Sequence, residues 1–261
     1  MNNNSIGVFD SGVGGTSIWK EIITRLPSEN TIYLADSKNA PYGNKTRQEI
    51  VNICIKNTEI LLNKGAKLIV IACNTATTNA IHILRSKYNI PFIGIEPAIK
   101  PAALASKTKS IGILATKGTL SSDLFHKTAQ KFSSDISIIE QEGTGLVTLI
   151  ETNKIYSKEM SILLQKLLIP MMKKKIDHLV LGCSHYPYLV PQIQNIVGSG
   201  VTITDSGYAV AKQTEKILIQ KELLSSKKTL GNHQLLTNQD VNILASFVQN
   251  KPNTIIKHLD F

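Results

Sequence analysis

A succession of short apolar runs rich in β-branched residues, spaced by longer amphipathic stretches, constrains this chain more than any other feature. The runs are "SIGVF", "TIYL", "KLIVIA" and "PFIGI" in the first part and "SIGILA", "ISII", "HLVLG" and "VTIT" further on. Alternation of this kind predicts parallel sheets covered by helices. One intervening stretch carries its own start and stop. Thr46 and Glu49 have capping-box spacing, Ile50, Ile53, Cys54 and Leu61 follow at roughly helical intervals, and Gly65 ends the run. Cys54 falls among the apolar positions and is expected to act as a small buried hydrophobe.

The pattern occurs twice. "SIGVFDSGVGG" at 5–15 resembles "SIGILATKGTL" at 110–120, an offset of 105, and the strand-to-cysteine stretches "LIVIACNTATTNAI" (68–81) and "HLVLGCSHYPYLV" (178–190) place Cys73 and Cys183 110 residues apart. Near-equal offsets predict two similar, pseudo-symmetric open α/β lobes with mainly parallel sheets and an active site in the cleft between them. The first lobe, with Cys73, is expected to comprise residues 1–97 plus 207–261. The second, with Cys183, is expected to comprise residues 98–206, opening after "GIEPAIKPA" and closing near "TDSGYAVA". Ligands of open α/β sheets bind at the carboxyl ends of the strands, where both cysteines fall.

Composition removes several function classes. With 42% hydrophobic and 18% charged residues the chain has a globular balance, and no apolar run approaches the roughly 18 residues that would span a membrane. The start "MNNNSIGVFD" has no basic region followed by an apolar stretch, so the cytoplasm is expected. The three cysteines lack C-x-x-C spacing, which argues against disulfides and zinc and for free thiols. The net charge of +10 is spread along the chain, with one tight cluster at Lys173, Lys174 and Lys175. Solvated helix faces account for it, and nucleic acid is not expected as the main partner.

Two opposed thiols suit a particular chemistry. Inverting a stereocentre that bears an acidic hydrogen needs a base on one face and an acid on the other. A thiolate and a thiol can exchange these roles, since a pKa of about 8.5 leaves both forms within reach. Each cysteine precedes polar residues, Asn74 and Thr75 in one motif and Ser184 and His185 in the other. Backbone N–H groups at a following helix N-terminus favour an anion there. The loop "DSGVGG" places Asp10 and Ser11 at the same edge. It is not a dinucleotide fingerprint, because Ser17 stands where the third glycine is required. Its glycines are expected to present backbone N–H groups to a bound anion, with Asp10 near the first thiol to accept an ammonium or position a proton. Pro41, Tyr42 and Gly43 are expected to form a rigid turn.

At these residues the chain resembles the glutamate racemases, cofactor-independent isomerases that make D-glutamate for peptidoglycan. "FDSGVGG", "APYGNKT", "ACNTAT", "IGIEPAIKPA" and "LGCSHYPYL" occur in the family's order over nearly the whole chain. The resemblance implies that Cys73 and Cys183 are catalytic acid/bases assisted by Asp10 and His185. It implies substrate binding by Asp10, Ser11, Tyr42, Gly43, Asn74, Thr75, Ser184 and His185, with Asp36 and Glu151 as auxiliary acids, and no metal or cofactor. It further implies interconversion of L-glutamate, deprotonated by Cys183, and D-glutamate, deprotonated by Cys73, in a homodimer. Ser184 stands where the family usually has threonine, which keeps the hydroxyl. The family's long N-terminal extension is not seen, so activation by a cell-wall precursor is not expected.

Aspartate racemases and other two-cysteine amino-acid racemases are the alternative. Their second motif usually carries a glutamate after the Cys-Thr pair, where this chain has His185. Superfamily decarboxylases often keep a single cysteine. A binding-only protein on a racemase scaffold would have let both thiols and their polar neighbours drift.

Overall fold

A computed structural model of the chain describes residues 4–248 and 251–261. Each apolar run named above forms a strand: β1 (Ser5–Asp10), β2 (Thr31–Ala35), β3 (Ala66–Ile71), β4 (Phe92–Gly94), β5 (Ser110–Ala115), β6 (Ser137–Glu142), β7 (His178–Gly182) and β8 (Thr202–Thr204). Two more, β9 (His233–Thr237) and β10 (Thr254–His258), lie in the tail. The strands form two sheets, ordered β10-β9-β2-β1-β3-β4 and β6-β5-β7-β8, and every pairing is parallel.

The repeat is visible in this order. Four consecutive strands of the large sheet, β2-β1-β3-β4, correspond one for one to β6-β5-β7-β8. In each set the chain leaves the first strand toward one side and returns to pair on the other, so β1/β3 and β5/β7 are topological switch points. A crevice opens at the carboxyl ends of such strands. Registers Phe9↔Ile71 and Ala115↔Gly182 bring the two ends of each pair level, and the cysteines follow at once.

Helices fill the remaining layers for reasons the sequence states. Helix Arg47–Asn63 begins at Thr46, whose hydroxyl accepts from Glu49 N–H while the Glu49 carboxylate accepts from Thr46 N–H. The chain leaves that helix through Gly65, which adopts φ +81°, a left-handed conformation that favours glycine. Cys54 is fully buried against the sheet, as its position requires. Helix Gly207–Gln220 returns to Thr16–Arg25, where Glu215 meets Arg25 at 2.6 Å. One apolar cluster is continuous across both sheets, from Val8 and Trp19 to Leu181 and Tyr186, so the two halves share part of their core.

Candidate active site

On the first sheet, Cys73 is the N-cap of helix Asn74–Lys87. Its sulfur accepts from Ala76 N–H at 3.4 Å, and its S–H faces Ser11 Oγ at 3.7 Å. Burial pushes this thiol far above its ordinary range and the nearby Asp10 carboxylate pushes it further, while the Ala76 N–H acts the other way. Cys73 is therefore a protonated thiol. Beside it, Asn74 is 3% exposed, and neither its amide oxygen nor its nitrogen has a partner. A buried, unpaired amide is costly unless a ligand satisfies it.

The second sheet treats its cysteine differently. Cys183 follows β7, but the next element is only the short 3-10 turn Tyr186–Leu189. In place of a helix N-terminus, the sulfur has an imidazole: His185 Nδ1 lies 3.8 Å away, and His185 Nε2 lies 2.5 Å from Glu151 Oε1. Burial alone would lower the His185 pKa. Its hydrogen bonds to Cys183 and Glu151 outweigh burial and hold it well above the usual histidine range. His185 is thus an imidazolium between a carboxylate and a thiol.

The "DSGVGG" loop departs from expectation. Two of its N–H groups are taken from within the chain: Gly12 N–H donates to Asp10 Oδ2 at 2.9 Å, and Val13 N–H donates to Glu151 Oε1 at 2.7 Å. The anion that this loop cradles is Glu151, contributed by helix Leu146–Glu151 of the other half. The glycines serve close approach. A Cβ on Gly12 would collide with the Glu151 carboxylate, and one on Gly14 with the His185 ring. Asp10, fully buried, accepts from Ser184 Oγ at 2.9 Å through its other oxygen, so its partners are the loop and the second motif. Burial raises its pKa, against the opposing pull of His185 and Ser184.

Asp36 stands behind the site. It accepts from Tyr42 Oη at 2.6 Å, Asn238 Nδ2 at 2.6 Å and Asn39 Nδ2 at 2.8 Å. Burial raises its pKa, and these three donors act the other way. The network locks Tyr42 into the wall, next to Pro41 and Gly43. Across from them, Thr75 Oγ1 meets Thr116 Oγ1 at 2.8 Å and Thr119 Oγ1 at 3.3 Å, and Gly43 lies against Thr116 and Gly118.

One cavity is lined by Ser11, Tyr42, Gly43, Cys73, Asn74, Thr75, Cys183, Ser184 and His185, with Pro41, Thr116 and Val147 as further neighbours. Asp10, Asp36 and Glu151 back its walls without lining it. Thr116 was missed in the sequence, although the 105-residue offset maps Ser11 onto it. The cavity measures about 10 Å³, little more than the space of one water. The two halves are closed on each other.

Fold and site together define a class: paired α/β lobes that each deliver a thiol, from a topological switch point, to one closed cavity. The Asp/Glu/Hydantoin racemase family matches residues 6–214, and the chain belongs to that family. It is 40% identical to a glutamate racemase of Herpetosiphon aurantiacus over 92% of this chain and 94% of the relative. In three dimensions it is similar to glutamate racemase isoform RacE1 of Bacillus anthracis, with a TM-score of 0.88 and 29% identity over 100% of this chain and 98% of the other. It is also similar to a glutamate racemase of Francisella tularensis in complex with D-glutamate, with a TM-score of 0.85 and 26% identity at the same coverage.

Proposed function

We propose that this chain is a glutamate racemase, an isomerase that interconverts L- and D-glutamate by a cofactor-independent two-base mechanism and supplies D-glutamate for peptidoglycan. The observation that carries the mechanism is the meeting of Cys73 and Cys183 in one cavity from two pseudo-symmetric sheets. An aspartate racemase is not favoured, since relatives at 40% identity or more over most of the chain are glutamate racemases.

Substrate enters when the lobes part. We place the lobe boundaries at 97/98 and 206/207, near the two chain crossings; Ser206 Oγ donates to Glu96 O at 2.5 Å and pins them side by side. On closure the unpaired Asn74 amide, Ser11 and the Thr75 and Thr116 hydroxyls supply donors for the substrate carboxylates. Cys183, as thiolate, takes the Cα proton of L-glutamate. The positive charge of His185 faces the sulfur and is held in place by Glu151. Cys73, kept protonated by its surroundings, delivers a proton to the opposite face. The reverse sequence starts from D-glutamate, with Cys73 as base. Fixed donors in a water-excluded cavity stabilise the developing carbanion better than solvent would.

Asp10 orders this machinery by holding Ser184 beside Cys183 and the "DSGVGG" loop beside Cys73. Asp36 acts through Tyr42. A cytoplasmic homodimer completes the proposal; among the described residues no helix is long and apolar enough to cross a membrane. The function is tested by incubating the purified chain with L-glutamate, without added metal or cofactor, and following loss of optical activity. Racemisation supports the assignment, and inertness toward glutamate overturns it.

A further inference from the structure

Two open cavities flank the closed site, and their charges are opposite. The first shares Pro41 and Val147 with it, measures about 280 Å³ and is lined also by Glu151 and Asp240, with no cation. The second shares Gly43, measures about 770 Å³ and spans both halves: Lys45, Arg47 and His82 come from one, Lys117, Asp123 and Lys127 from the other. Leaving His82 aside, Lys45, Arg47, Lys117 and Lys127 against Asp123 give +3. Lys45 also feels Asp36 and Glu49, but among the described residues Arg47, Lys117 and Lys127 form no ion pair.

Only a thin partition separates this basic cavity from the thiols. It consists of the Thr75, Thr116 and Thr119 hydroxyls and the approach of Gly118 to Gly43, where an added Cβ on Gly118 would come within 3.1 Å of the Gly43 Cα. The partition joins the two halves by side-chain hydroxyl contacts and a close backbone approach, so it opens when they separate.

We propose that the basic cavity is a vestibule that captures the anionic amino-acid substrate, two carboxylates and one ammonium, before it passes between Gly43 and Gly118 to the thiols. The inference rests on the racemase reading and adds the route and the residues that serve it. Charge on a concave, low-dielectric wall raises the local concentration of an oppositely charged ligand, and salt screens the effect over about 8–10 Å. Arg47, Lys117 and Lys127 act on capture alone. They do not touch the reacting atoms.

The test compares the wild type with Arg47→Gln/Lys127→Gln, using initial rates of glutamate racemisation at ionic strengths from about 0.02 to 0.5 M, with folding checked by circular dichroism. The expected result is a KM raised about 3- to 10-fold at low salt with kcat within about 2-fold, and a weaker salt dependence of KM than in the wild type. Arg47→Glu/Lys127→Glu should raise KM further. Unchanged KM and an unchanged salt dependence in both folded variants would overturn the vestibule while leaving the racemase assignment intact. A wild type that does not racemise glutamate overturns that assignment and the vestibule with it.

Discussion

Cys73 and Cys183 occupy corresponding places in two sheets of the same strand order, yet their surroundings have opposite character. Cys73 is set on the N-terminus of a 14-residue helix, buried, with the Asp10 carboxylate raising its pKa. Cys183 has no helix directly behind it and relies on an imidazolium held by Glu151. The fold supplies the symmetry that a reaction on two opposite faces needs, and side chains outside the repeat break it. In the proposed mechanism Cys73 acts as acid and Cys183 as base on L-glutamate, and the roles exchange for D-glutamate.

The largest effect should come from removing either half of the pair. Cys73→Ala and Cys183→Ala are each expected to lower kcat for racemisation by about 10³-fold or more with the fold intact, within the range of a lost general acid or base; a chiral assay on purified variants checks this. Next is Gly14→Ala, which drives a methyl into the His185 ring and so strikes the Cys183 side first. It should cost about 10- to 100-fold in kcat. Measuring both substrate directions would show whether the initial damage depends on which thiol acts first.

Glu151→Gln sharpens the comparison through pH. His185 has a raised pKa, so its proton is present at neutral pH and is lost as pH rises through that value. Activity should therefore fall on the alkaline side. Without the Glu151 charge, the His185 pKa drops and that limb should move toward lower pH, with kcat down about 10-fold. A pH–rate profile reads the shift. Ser184→Thr, which restores the residue usual in the family, should change kcat/KM by no more than about 3-fold, because the hydroxyl that donates to Asp10 is retained.

The sheets were legible because each of the first eight strands coincides with a β-rich apolar run. The tail strands were not singled out. "HQLLT" is short, and "TIIKH" is an edge strand with exposed side chains, so neither carries a clean apolar pattern. Both cysteines were legible from their position after buried strands. Glu151 was placed only by resemblance, since its partner His185 lies 34 residues away, Val13 and Ser37 lie more than 100 away, and no local pattern encodes such contacts. For the same reason nothing local in "DSGVGG" signals that a distant carboxylate, Glu151, accepts from Val13 N–H. Thr116 had a signal in the offset from Ser11, but a threonine after a strand has no chemistry of its own to draw attention.

The central claim is that two thiols act from opposite faces of one substrate, and solvent-deuterium incorporation at Cα tests it most directly. The wild type, Cys73→Ser and Cys183→Ser would be incubated with L- and D-glutamate in D₂O and followed by NMR with a chiral readout, with no cofactor added. The account predicts that the wild type forms each opposite enantiomer already deuterated at Cα, and that both variants lose racemisation. Racemisation that persists in either folded variant, or a product that keeps the original hydrogen, would contradict it.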